Sequence, residues 1–313
     1  MSIVRPHWYF IHMSDSRVWL ITGTSAGIGQ ASVKEVIAAG ERVAAITRKA
    51  SSVSQLSVAY PPDKLFVVEY DVGNPTHSAE ALFEKVHKHF GRIDVVVNNA
   101  GYGLSGVVEG TNDEDAYYQF EVNFWGAVRI SREAVKCFRE NKTPAGRIIN
   151  VSSVGGFIGY PTLAFYSASK FALEGFSEGL HKELSPEWNI KIIIAQPGGV
   201  RTEWAKSNMV YRPFPPAYDA PDGPANTMRN LCTSTPSMGD AVKLSRALVT
   251  ISREADPPLR LPLGSDAQWL ILNKLGEMKK DVEKWNELTL STVADDVDPL
   301  YFKKLNMLVT EQS

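Results

Sequence analysis

Short apolar runs of strand length alternate with longer segments of helical periodicity through most of the chain. The runs Val18–Thr22, Arg42–Thr47, Leu65–Tyr70, Ile93–Asn98, Arg147–Ser152 and Lys191–Gln196 predict six strands, and Leu259–Leu263 a last edge strand. They are continuously apolar rather than alternating, the pattern of strands covered by helices on both faces of a parallel sheet. Between them lie helical stretches such as Gly29–Ala39, closed by Gly40. The expected fold is therefore α/β, a Rossmann-type doubly wound parallel sheet in one domain over residues 16–263.

Two segments break the alternation. Residues 203–238 are rich in proline, with Pro213-Phe214-Pro215-Pro216 at the centre, and cannot form one regular element throughout. Residues 264–313 carry Trp269, Leu270, Leu272, Leu275 and Met278 at helical spacing, which predicts a C-terminal helical extension of the same domain. Residues 1–15 form an N-terminal extension. Arg5, Pro6, His7 and His12 interrupt any signal-peptide core there, and Met13 is the expected natural start.

Composition narrows the class further. With 44% apolar and 22% charged residues, a well-buried core is expected. The balance of 33 basic and 35 acidic residues gives no reason to expect nucleic acid or an anionic membrane as partner. No apolar run approaches the roughly 18 residues of a membrane span. Cys137 and Cys232 read as free intracellular thiols, in keeping with a cytoplasmic protein. His87 and His89, two apart on a predicted helix, point to different faces and read as solvated, so no metal site is expected.

The chemistry starts after the first strand. Gly23-Thr24-Ser25-Ala26-Gly27-Ile28-Gly29 opens directly into a helix, the context in which a Gly-rich turn and helix N-terminus receive a dinucleotide pyrophosphate. An ordinary βα loop is the plainer alternative. The second strand ends in Thr47-Arg48-Lys49, where an NAD site would place an acid. Arg48 suits a 2′-phosphate, so NADPH/NADP+ is the expected cofactor. Asp71-Val72, ending the third strand, suits the adenine. Asn98 and Asn99 end the fourth strand, where side-chain amides can satisfy loop backbone groups.

Tyr166 and Lys170 stand at i and i+4, which puts a phenol and an ammonium on one helix face. A nearby ammonium lowers a phenol from its ordinary pKa near 10. Ser153 follows the fifth strand, at the sheet edge where open α/β folds bind ligands. By itself the Tyr-x-x-x-Lys pair is common and reads more readily as an exposed helical pair.

Together, Thr22–Gly29, Asn98-Asn99-Ala100-Gly101, Asn123, Ser153, Tyr166/Lys170 and Pro197-Gly198 resemble the short-chain dehydrogenases/reductases over about residues 16–263. With Tyr102-Gly103 and Thr47-Arg48 added, the resemblance is to the 17β-hydroxysteroid-dehydrogenase-like branch. It implies a catalytic tetrad of Asn123, Ser153, Tyr166 and Lys170. Tyr166 would be the proton donor or acceptor, Ser153 would bind the substrate oxygen, Lys170 would hold the nicotinamide ribose, and Asn123 would position a relay water. It also implies Asn99, Ala100 and Gly101 near the adenosine, and Pro197, Gly198, Val200 and Thr202 at the nicotinamide. Residues 203–238 would be the substrate lid.

Trp204, Met209, Tyr211, Phe214 and Tyr218 in that lid, with Gly103, Ser153 and Tyr160, suggest a bulky lipophilic substrate. Packing of the lid on the core explains the same aromatics equally well. The expected activity is ketone or aldehyde to alcohol interconversion. Reduction of C=N or C=C bonds on the same scaffold is the alternative, and a non-catalytic dinucleotide sensor a third. The long C-terminal extension leaves the assembly open between monomer and homo-oligomer.

Overall fold

In the computed structural model, residues 16–141, 145–298 and 300–301 are described; the segment around Met13 lies outside them. The strands in chain order are β1 (Val18–Thr22), β2 (Arg42–Thr47), β3 (Leu65–Glu69), β4 (Val95–Asn98), β5 (Gly103–Ser105), β6 (Gly146–Val151), β7 (Ile190–Pro197), β8 (Met209–Tyr211) and β9 (Arg260–Leu263). Seven of them make one parallel sheet in the order β3-β2-β1-β4-β6-β7-β9. The order reverses direction between β1 and β4, and there the strand carboxyl ends open a crevice. β4 starts at Val95 rather than Ile93 because the Asp94 carboxylate accepts the Val18 N–H at 2.8 Å.

The helices are α1 (Gly27–Ala38), α2 (Ser54–Ala59), α3 (Ala79–Phe90), α4 (Asp113–Phe120), α5 (Gly126–Glu140), α6 (Ala164–Glu183), α7 (Pro224–Ser234), α8 (Ala241–Ile251), α9 (Ser265–Lys284) and α10 (Asn286–Leu290). They cover both sheet faces and bury one apolar layer on each. On one side Leu20, Ile46, Val96 and Ile148 meet Val86, Ile130 and Phe138; on the other Ile21, Val43, Val97 and Ile193 meet Val33, Leu244 and Leu248. This two-sided burial is why the strands read as unbroken apolar runs.

The structure corrects one expectation and fills in two others. His89 is not simply solvated: its ring stacks on Phe66 at 4.1 Å, and Nε2 lies 2.8 Å from the Pro62 carbonyl. Residues 203–238 are more regular than their prolines suggest. They hold β8, which pairs with β5, and α7, which begins at Pro224, where proline's missing N–H costs nothing. In α9 the helix forms as predicted, but its packed residues are Ala267 and Ile271. Trp269, Leu272, Leu275 and Met278 stay 48–64% exposed, because only the first turns of α9 rest on the domain.

At the amino ends of β1 and β2, the buried Glu41 carboxylate accepts the Trp19 indole N–H and is bridged by Arg17 (3.0 Å) and Arg253 (2.8 Å). Glu41→Ala would leave that buried indole unpaired. The variant is expected to lose about 2 kcal/mol of unfolding free energy in urea denaturation.

Candidate active site

The cofactor half is built from turns at the carboxyl ends of β1, β2, β4 and β7. Gly23 and Gly27 take left-handed φ values of +69° and +56°, which an L side chain resists. At Gly29 a Cβ would collide with the Gly23 carbonyl and the Asn99 amide, so α1 begins pressed against the turn. Thr24 anchors that turn to β2 through the Ile46 carbonyl, by its N–H at 3.3 Å and its hydroxyl at 3.2 Å. Ser25 is exposed, and Ile28 packs into the core under the turn. Helices α3, α4 and α8 are capped by Ser78, Asn112 and Asp240, whereas no side chain caps α1 at Ala26. That leaves an amino terminus suited to an anion.

Asn99 locks the neighbouring loop. Its amide donates to the Thr22 carbonyl at 2.8 Å and the Gly23 carbonyl at 3.1 Å, while Thr22 Oγ1 accepts the Asn99 and Ala100 N–H groups, each at 3.0 Å. Asn98 does otherwise: its amide bonds the side chains of Ser131 (2.9 Å) and Asn150 (2.8 Å), inside the core rather than in the loop. The Gly101 carbonyl accepts from Asn208 of the proline-rich segment at 2.9 Å. Arg48 is exposed at the end of β2 and, among the described residues, has no ion-pair partner. Asp71 accepts the Gly73 N–H at 3.0 Å, and the Val72 carbonyl accepts from Arg129 at 2.7 Å.

Beyond β7, the Gly198 N–H bonds the Leu263 carbonyl at 3.0 Å, continuing the pairing of Pro197 with Leu263. Val200 bridges to Gly239, and the Thr202 methyl rests over Gly27, which joins this loop to the Gly-rich turn. Asp266, in the first turn of α9, accepts the Gly199 N–H at 2.7 Å. It escaped the sequence analysis, because no local pattern links residue 266 to residue 199.

The reactive half lies on α6 and the end of β6. Tyr166 and Lys170 are both buried, and Asn123 sits in a π-helical turn (Glu121–Trp125) between α4 and α5. Such turns rotate one residue out of helical register and recur at functional sites. Asn123 accepts the Tyr102 N–H at 3.0 Å and donates to the Tyr102 carbonyl (3.1 Å) and to Ser169 (3.2 Å). One amide hydrogen thus braces the Tyr102 loop and the other the helix α6. The Ser153 hydroxyl accepts the Gly155 N–H at 3.0 Å.

Burial pushes Tyr166 up to about 12, with Ser153 pulling the other way. Desolvation therefore outweighs the lowering, which comes from Ser153. Burial also drives Lys170 down to about 8, opposed by the charge of Glu174, and its Nζ donates to the Val151 carbonyl at 2.8 Å.

Over the phenol lies an apolar cluster. Trp204 stands 5.3 Å from the Tyr166 ring, and Tyr160, Leu163, Met209, Tyr211, Met228 and Cys232 complete it. Gly103 pairs with Met209 across β5–β8, which fastens the proline-rich segment to the site. Phe214 and Tyr218 do not join: Phe214 packs on the Arg229 guanidinium at 3.6 Å, and the Tyr218 hydroxyl bonds Glu109 at 2.7 Å. Met228 and Cys232 were missed; four residues apart, they share one face of α7, whose existence the prolines hid. Tyr160 also touches Val154, Ala267 and Ile271, so the start of α9 forms a second wall.

Residues 17–210 match the short chain dehydrogenase family. The chain belongs to that family of short-chain dehydrogenases/reductases. An uncharacterized oxidoreductase of Schizosaccharomyces pombe is 39% identical over 282 residues, covering 90% of this chain and 93% of its own. A 3-ketodihydrosphingosine reductase of Bacteroides thetaiotaomicron is 32% identical over 254 residues, covering 81% and 90%. A short-chain dehydrogenase of Streptomyces avermitilis superposes with a TM-score of 0.82 at 31% identity, covering 89% of this chain and 99% of its own. This short-chain dehydrogenase/reductase is thus an oxidoreductase of a family that uses nicotinamide dinucleotides. Among the described residues no helix is long and apolar enough to cross a membrane, and no cluster could hold a metal.

Lys170 is expected to titrate near 8 by NMR of its side-chain Cε, far below an ordinary lysine. Between about 8 and the ordinary 10.5 the unfolded chain holds a proton that the folded chain has released. Stability relative to Lys170→Met is therefore expected to rise with pH across that window, measured by urea denaturation.

Proposed function

We propose that this protein is an NADPH-dependent carbonyl reductase, working reversibly on a bulky lipophilic ketone or aldehyde. Buried Tyr166 beside Ser153 and Lys170, under an apolar lid, is the observation that carries this reading. The residues fit the cofactor: an uncapped α1 terminus for the pyrophosphate, Arg48 for the 2′-phosphate, Asp71 and Val72 for the adenine, and Pro197 to Thr202 for the nicotinamide. Bound there, the reduced nicotinamide supplies hydride to the carbonyl carbon.

The protein's residues do the rest. The Ser153 hydroxyl donates to the substrate oxygen and stabilises charge as it develops there. Tyr166 transfers its phenolic proton to that oxygen, giving the alcohol and leaving a phenolate, which Lys170⁺ stabilises. A phenol kept protonated at neutral pH suits this direction. Oxidation is the same path reversed.

Trp204, Met209, Tyr211 and Met228 favour an apolar skeleton around the carbonyl, and the name of the Bacteroides relative, 3-ketodihydrosphingosine reductase, is in keeping with it. The exposed Trp269, Leu272, Leu275 and Met278 favour a homo-oligomer, which light scattering on the eluting protein would show at above one chain mass. A cytoplasmic location fits the free Cys137 and Cys232.

With NADPH and a panel of ketones, enones and imines, ketones are expected to turn over best. Tyr166→Phe should lower kcat by about 100-fold or more while NADPH still binds. Wild-type turnover in that variant would defeat the assignment. Arg48→Ala should reduce kcat/KM for NADPH by roughly 10-fold or more and leave NADH nearly unchanged. An unaltered NADPH-to-NADH ratio would remove the argument for the phosphate.

A further inference from the structure

One turn beyond Lys170 on α6 lies a carboxylate that the mechanism above does not use. Glu174 is only 3% exposed, yet both its oxygens are occupied. Ser152 Oγ donates to Oε1 at 2.7 Å, Gln196 Nε2 lies 3.0 Å from each oxygen, and Arg260 Nε approaches Oε2 at 3.3 Å. Each donor sits at a strategic point. Ser152 precedes Ser153 at the end of β6, Gln196 precedes Pro197 and Gly198 in β7, and Arg260 opens β9. Gly156, in the loop after Ser153, is packed so closely on Ser152 and Glu174 that a Cβ there would collide with both.

We propose that Glu174 is a positioning residue: its carboxylate ties the strand ends bearing Ser153 and Pro197–Gly198 to the helix bearing Tyr166 and Lys170, and supplies the counter-charge for the Lys170 ammonium. The inference rests on the roles assigned above to Ser153, Tyr166 and Lys170. The i, i+4 spacing puts Glu174 on the same helix face as Lys170. A buried carboxylate without partners would take up a proton. Here burial does raise its pKa, while Ser152, Gln196 and Arg260 pull it back. Among the described residues, Arg260 from β9 faces the pair, and it is bonded at 2.7 Å to Glu178, which accepts from Lys182 at 2.7 Å. For Lys170 the opposing charge is that of Glu174.

The test uses the full chain carrying Glu174→Gln, which keeps the shape and removes the charge. The Lys170 midpoint, followed by NMR of its Cε, is expected to fall by about one pH unit. In NADPH-linked reduction of 9,10-phenanthrenequinone, kcat should drop about tenfold and its alkaline limb should move to lower pH. NADPH affinity by fluorescence should stay within about threefold. A purely structural role would leave the midpoint and the limb in place, and an unmoved Lys170 midpoint overturns the proposal. If Glu174→Gln fails to fold, Ser152→Ala cuts only the tie to Ser153: a several-fold loss of kcat supports the proposal, and unchanged kcat overturns it. The two readings fail separately, since wild-type turnover in Tyr166→Phe removes the catalytic assignment without touching the Lys170 titration.

Discussion

A parallel sheet covered on both faces leaves no room for unpaired polar groups along its strands, so polar chemistry collects where the strands end. In this protein the interior of β1 and β4 is wholly apolar, while Thr22 and Asn98 appear at their last positions. Ser152 and Ser153 follow β6, and Gln196 and Pro197 close β7. The crevice between diverging connections then gathers these termini within reach of one ligand.

Helix α6 crosses that crevice with an unusual inner face. Tyr166, Ser169, Lys170, Glu174 and Ser177 are all buried on it. The last four find partners: Ser169 with Asn123, Lys170 with the Val151 carbonyl, Glu174 with Ser152 and Gln196, and Ser177 with Asn150 at 2.7 Å. Asn150 in turn receives Asn98, so a polar seam runs from the core of the sheet to the candidate site. A seam of linked hydrogen bonds fixes geometry more tightly than apolar packing alone, because moving one member strands another. That stiffness suits a site whose reactive atoms must stay aligned.

The two long segments outside the alternating pattern supply the other walls. The proline-rich segment is held by β5–β8 pairing, by Arg212 on Asp115 (2.5 Å) and by Arg229, which bonds the Arg212 carbonyl at 2.6 Å beneath Phe214. The C-terminal extension reaches in through Asp266 and Ile271 and then leaves the domain with its apolar positions uncovered. Both segments sit over the carboxyl end of the sheet and wall the candidate site.

The sequence by itself determined the sheet, since period and run length depend only on neighbours along the chain. It also determined the Gly-rich turn and the Tyr166–Lys170 pair, whose spacings are local. Tertiary structure decided what lies far apart in sequence: Asp266 on Gly199, Met228 and Cys232 over Tyr166, and the departure of Phe214 and Tyr218 to other partners. It decided the electrostatics too. Burial raises Tyr166 and lowers Lys170, and Glu174 acts through donors drawn from β6, β7 and β9. Those effects depend on desolvation and on groups brought together only by folding, and no reading of local spacing contains them.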